Sequence, residues 1–182
     1  MPTQINIKRV NGKVVFEEAS LTQSGSVFWV NQDPNEPHWP VWKISLNQLG
    51  PYPSPPSSAF PAYPQAPPMT IFYGCAIAGH EAEQGQINVY NDFAPDASPL
   101  PDATLQQPYN TTVATGGMSP YNVGAVAGQV PPGLTLAGAS NNGGITLSGT
   151  PTQAGTYTFT LLGATDNLQN SIAQQAFTIT VA

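Results

Sequence analysis

Charge is scarce in these 182 residues: four Lys and Arg stand against ten Asp and Glu, giving a formal charge of -6. The chain has no basic cluster that could neutralise phosphates. Nucleic-acid binding and adhesion to an anionic membrane surface are therefore excluded. A single cysteine, Cys75, rules out an intramolecular disulfide. Histidine is almost as rare, with only His38 and His80. No apolar run reaches the length of a membrane span, so no membrane insertion is expected. The first residues, Met1-Pro2-Thr3-Gln4, carry neither a charged nor an apolar leader segment, and no signal peptide is expected there.

What the chain does have is 20 Pro, 17 Gly and 40% apolar residues. Short runs rich in Thr, Val, Ile and aromatics lie between the turn formers, a mix that opposes long helices and favours many short strands. The fold class expected is all-β. Residues 4–9 and 13–18 read as a hairpin about Asn11-Gly12, a strong turn signal. Residues 26–31, 41–46, 69–73 and 86–90 read as further strands. The eight prolines of residues 51–68 make that stretch a long extended loop. Composition changes past it: from 107 onward there is no Lys, Arg, His, Cys or Trp. The expected division is a first domain at 1–92, a Pro/Asp-rich linker at 93–106 and a second domain at 107–182.

The segment Tyr73-Gly74-Cys75-Ala76-Ile77-Ala78-Gly79-His80-Glu81-Ala82-Glu83-Gln84 concentrates the rare types. Upstream, the polar turn 32–37 delivers His38. One thiolate, two imidazoles and one weak oxygen donor are what a mononuclear copper electron-transfer site requires. A lone Cys is usually a small core hydrophobe. A lone His is more often structural than a ligand, but the joint spacing of all three reverses that weighting. Zinc would also accept Cys75, His38 and His80.

On strand-Asn31…Pro37-His38 and Tyr73-Gly74-Cys75-x4-His80-x3-Gln84, residues 1–92 resemble a cupredoxin, the family of plastocyanin, azurin and stellacyanin. The resemblance implies a Greek-key sandwich or barrel binding one copper ion. It makes His38, Cys75 and His80 the equatorial ligands and Gln84 the axial one, as in stellacyanin-like members. Glu83 is the rival axial donor and Glu81 a weaker one. The backbone N–H groups of Trp39 and Ile77 are expected to bond the Cys75 sulfur. Many relatives carry Asn directly after the first His, where this chain has Trp39. Trp29 and Trp42 are read as core, and His80 as the point where electrons enter.

The second half carries Pro131-Pro132-Gly133-Leu134-Thr135-Leu136 and Leu147-Ser148-Gly149-Thr150-Pro151, then Ala154-Gly155-Thr156-Tyr157-Thr158-Phe159 and Ala164-Thr165-Asp166. There it resembles the immunoglobulin-like, cadherin-related repeat of bacterial surface proteins. That resemblance implies a β-sandwich serving as spacer or adhesion module, with a possible surface partner, and an extracytoplasmic setting. Asp166 alone is too little for a calcium site and reads as a turn.

The function expected is one-electron transfer to a redox protein partner. The alternative is a surface binding or structural module whose first domain stores copper or holds no metal. Two histidines cannot furnish a second, catalytic copper centre, and no Gly-rich phosphate loop follows a strand. Nothing orients a Cys-His pair for hydrolysis. The chain is therefore expected to be a carrier rather than an enzyme.

Overall fold

The computed structural model describes residues 3–45, 48–53 and 67–182, with side chains at 3–41 and 67–182. The chain forms two compact units, Met1–Tyr90 and Asn91–Ala182. All named elements are strands, so the fold is all-β, as the turn-rich composition predicts.

In the first unit, β1 (Thr3–Val10) and β2 (Lys13–Phe16) form the predicted hairpin with Val10 opposite Lys13. Asn11 and Gly12 take φ of 51° and 78°, the two positive values that a tight hairpin turn needs. Then come β3 (Ala19–Thr22), β4 (Val27–Asn31), β5 (Pro40–Ser45), β6 (Gln48–Pro53), β7 (Met69–Cys75) and β8 (Gln84–Tyr90). They build a three-stranded sheet, β2-β1-β4, and a five-stranded sheet, β3-β8-β7-β5-β6. β1–β4 and β3–β8 are parallel pairs; the remaining pairs are antiparallel. The sequence reading missed β3 and β6, and β6 takes in residues 51–53 of the expected Pro-rich loop. The expected Pro-rich loop at 51–68 falls largely outside the described residues, as does the side chain of Trp42.

Side-chain alternation explains how these sheets close. Ile5, Ile7, Phe16, Val27 and Trp29 of one sheet are buried with Leu21, Ile71, Tyr73, Cys75, Ile87 and Val89 of the other. Tyr73 is fully buried, its ring centroid 5.6 Å from that of Phe16 and 5.5 Å from that of Trp29. Its hydroxyl donates to the Glu17 carbonyl, which satisfies the polar end of a core aromatic. Burial pushes the Tyr73 phenol pKa well above its ordinary value. Gly85 on β8 makes room for this ring, since a Cβ there would lie 2.6 Å from Tyr73 Cζ.

The second unit contains β9 (Ala94–Pro95), β10 (Tyr109–Thr115), β11 (Ala125–Gly128), β12 (Leu134–Gly138), β13 (Ile145–Gly149), β14 (Gly155–Leu162) and β15 (Gln175–Val181). Sheets β12-β13-β10-β9 and β11-β14-β15 enclose Val113, Ile145, Leu147, Phe159, Leu161, Phe177 and Ile179. The expected linker at 93–106 is corrected here, because this segment is part of the sandwich. Phe93, Leu100 and Ala103 are buried in the core of this unit, and β9 pairs with β10. The Leu100, Ala103 and Leu105 N–H groups donate to the carbonyls of Thr178, Thr180 and Ala182. Pro99 and Pro101 have no N–H to donate, and the segment docks along β15 through the N–H groups of Leu100, Ala103 and Leu105.

Candidate metal centre

The turn that delivers His38 is built by its own side chains. Asn31, at the end of β4, accepts from the Asp33 N–H at 2.9 Å and donates to the Glu36 carbonyl at 2.9 Å. Asp33 in turn accepts from the Asn35 N–H at 3.0 Å. Such side-chain-to-backbone bonds are the usual reason Asn and Asp occupy turns. His38 follows this turn and is buried.

Strand pairing fixes the sulfur. Pro40 of β5 lies opposite Cys75, the last residue of β7, and the Trp39 carbonyl accepts from the Ala76 N–H at 2.9 Å. The Trp39 N–H donates to Cys75 Sγ at 3.4 Å, as the sequence reading expects. Ile77 enters the loop through its carbonyl, which accepts from the His80 N–H at 3.0 Å. The Glu83 N–H then donates to the His80 carbonyl at 2.9 Å, and the Cys75 N–H to the Glu83 carbonyl at 3.2 Å. Gly79, at φ 90°, gives this loop its reversal.

The outcome is convergence. His38 Nδ1 lies 2.9 Å from Glu83 Oε2, His80 Nδ1 lies 3.1 Å from the same oxygen, and Cys75 Sγ lies 3.8 Å from His80 Nδ1. Donor atoms of His38, Cys75, His80 and Glu83 all fall within 4.8 Å of one another. The imidazole centroids are 5.3 Å apart, and Phe16 meets the His38 ring edge-on at 5.8 Å.

Among the His, Cys, Asp and Glu side chains of the described residues, the fourth donor in this group is Glu83, the rival axial donor of the sequence reading. Gln84 opens β8 opposite Gly74 and is exposed. Its parity is that of Gln86 and Asn88, whereas Glu83 shares the parity of the inward-facing Ile87 and Val89. Glu81 is set aside too, because its carboxylate accepts from the loop's own Gly79 N–H at 2.9 Å. That bond holds the Glu81 carboxyl below its ordinary pKa.

Sequence reasoning did not find the groups behind the imidazoles. His38 Nε2 faces buried Asp33 Oδ2 at 3.1 Å, and His80 Nε2 lies 3.6 Å from Glu36 Oε2. Arg9 reaches both carboxylates, at 2.8 Å for Asp33 and 3.2 Å for Glu36. Its guanidinium holds the Asp33 carboxyl well below the usual carboxylate range. The available signal was scarcity: Arg9 is the only arginine in the chain.

In the second unit, Asp166 is buried and hydrogen-bonded within its loops. It accepts from the N–H groups of Met118 at 3.1 Å and Asn170 at 2.8 Å, and from Asn170 Nδ2 at 3.1 Å. These bonds pin two loops together.

The family described as Putative Ig domain matches residues 87–182, more than half of the chain. The chain belongs to that family. The matched span contains the whole Ig-like unit, including the segment expected as linker. Among curated proteins, none matches. Two solved structures are similar at a low level. An endo-fucoidan hydrolase of glycoside hydrolase family 107 gives a TM-score of 0.35 at 18% identity, covering 87% of this chain and 24% of that one. A Bacteroides ovatus mixed-linkage glucan utilization locus protein, SGBP-B, bound to a mixed-linkage heptasaccharide, gives 0.24 at 14% identity, covering 94% and 36%. The chain thus spans about a quarter and about a third of these structures. Among the described residues, no helix is long and apolar enough to cross a membrane.

Proposed function

We propose that the first unit is a cupredoxin-like domain that carries one electron at a time on a mononuclear copper ion. The observation that carries this reading is the convergence of Cys75 Sγ, His38 Nδ1, His80 Nδ1 and Glu83 Oε2. A soft sulfur with two imidazole nitrogens fits copper, and a two-sheet sandwich with the Cys-His loop between adjacent strands supports the same reading. The residues that would hold the ion are His38, Cys75, His80 and Glu83. When bound, copper supplies reversible one-electron chemistry.

The chain's own residues supply the rest. Pairing of β5 with β7 holds sulfur and imidazole in place beforehand, so a change of charge demands little rearrangement. The Trp39 N–H bonds the sulfur and fixes its direction toward the cluster. Glu83 contributes a negative charge that compensates a cation among the donors. Trp39 is 53% exposed and His80 partly so, which offers an outward-facing edge for exchange with a redox protein partner. An extracytoplasmic setting is supported by the Ig-like family of the second unit, which would act as spacer or adhesion module.

Copper(II) titration of the full chain, read by visible absorption and metal analysis, tests the proposal. One equivalent with an intense charge-transfer band, lost in Cys75→Ser, is the expected result. Zinc also accepts Cys, His and carboxylate donors but gives no such band. Colourless or absent binding would refute the carrier and favour a surface module that stores metal or holds none.

A further inference from the structure

The two imidazoles are braced from behind by a single guanidinium. Arg9 Nη2 donates to Asp33 Oδ2 at 2.8 Å and Arg9 Nε to Asp33 Oδ1 at 3.3 Å, a two-pronged grip. The same Nη2 reaches Glu36 Oε2 at 3.2 Å, and Nη1 donates to the Gly12 carbonyl at 3.0 Å. Each carboxylate then faces the outer nitrogen of one imidazole: Asp33 that of His38 at 3.1 Å, Glu36 that of His80 at 3.6 Å. The Asp33 and His38 side chains have no exposed surface. Arg9 therefore sits on β1, away from the donor cluster, yet touches the supports of both rings.

We infer that Arg9 and Asp33 are positioning residues of the metal centre, an inference that rests on the copper reading above. With Nε2–H donating to Asp33, the His38 ring presents Nδ1 to the cluster in one fixed tautomer and orientation. Ligating histidines commonly depend on such a carboxylate, and losing it typically costs ten- to a hundredfold in metal affinity. Arg9 acts only through Asp33 and Glu36. It keeps the Asp33 carboxylate aimed at His38 and spares it from standing buried without a counter-charge. Lys cannot replace it fully, because a single ammonium lacks the planar fork that grips one carboxylate twice and reaches a second.

The test uses copper(II) itself on the full chain, with chelator competition for affinity and electron paramagnetic resonance for ligand geometry. Arg9→Gln and Asp33→Asn are each expected to weaken copper(II) about ten- to a hundredfold and to change the copper hyperfine splitting. Arg9→Lys should fall between Arg9→Gln and wild type. The double variant Arg9→Gln/Asp33→Asn should lose less than the sum of the two single losses, because Asp33 is one of the two carboxylates through which Arg9 acts. Circular dichroism and thermal melts check the fold. Should Arg9→Gln melt below the assay temperature, Arg9→Lys and Asp33→Asn carry the comparison. Wild-type affinity and hyperfine splitting in the folded variants would overturn the inference and leave the copper reading standing. Additive losses in the double variant would overturn it too. No copper uptake by wild type would overturn both.

Discussion

Glu83→Gln changes one charge at the cluster and almost nothing else in shape. Glu83 Oε2 faces both Nδ1 atoms, at 2.9 Å and 3.1 Å, and all four donor atoms lie within 4.8 Å of one another. An ion held among them is closer to the carboxylate than that. One unit of charge at 4.8 Å in an effective dielectric of about 20 interacts with the carboxylate by about 3.5 kcal/mol. For a one-electron couple, where about 1.4 kcal/mol corresponds to 59 mV, this is about 150 mV. The carboxylate favours Cu(II), so its loss should raise the midpoint by about that amount. Gln84→Met, on the opposite face of β8, should leave the midpoint within about 20 mV, well below that electrostatic effect. Voltammetry of the copper-loaded full chain decides between them. A downward or negligible shift in Glu83→Gln, or an equal shift in Gln84→Met, would refute the parity argument.

Other substitutions probe positions in each unit, and every Trp lies in the first. Gly85→Ala drives a Cβ to within 2.6 Å of a fully buried Tyr73. It should cost about 1–3 kcal/mol in the denaturant transition followed by Trp fluorescence. Gly133→Ala places a Cβ 2.0 Å from the Thr150 carbonyl oxygen at φ 90°, and it should cost about 2–4 kcal/mol. That loss is read as a lower denaturant midpoint by circular dichroism, and an unchanged midpoint would contradict the close approach. Glu17 is held below its ordinary pKa, chiefly by its hydrogen bond from Lys8 and then by that from Asn6. Its contribution to stability is therefore present above the unfolded carboxylate pKa, about 4.3, and is lost as pH falls through the folded value. The gap in denaturant midpoint between wild type and Glu17→Gln should narrow between pH 6 and pH 3; a gap independent of pH would contradict the pairing.

Local chemistry made part of this fold legible. The Asn11-Gly12 turn, the alternation in β7 and the turn-rich motifs of the second half each state their conformation in a few adjacent residues. The segment 93–106 did not, because its prolines read as a spacer while its burial depends on β15, some eighty residues later. The Leu100 N–H finds the Thr178 carbonyl, and nothing near Leu100 announces that partner. β3 was missed for a similar reason. Ala19–Thr22 is short, and its parallel partner β8 lies more than sixty residues further on.

The site follows the same division. Scarcity singled out Cys75, His38 and His80 without any geometry, since no other residue could play their parts. The fourth donor was not scarce: Glu81, Glu83 and Gln84 compete within four positions, and loop spacing alone favoured Gln84. Strand parity favours Glu83. β8 begins at Gln84, and the Cys75 N–H already pairs with the Glu83 carbonyl, so the alternation of β8 extends back through Glu83. One step along a strand turns a side chain to the other face, so position 83 faces inward with Ile87 and Val89. A residue inserted between Gln84 and Ile87 would reverse that parity and turn Gln84 inward. The same rule hides Arg9: its guanidinium leaves β1 toward a turn between β4 and β5, a proximity created by the parallel pairing of β1 with β4. The candidate ligands Cys75, His38 and His80 were legible because they are rare. Their supports were not, because only the sheets bring them together.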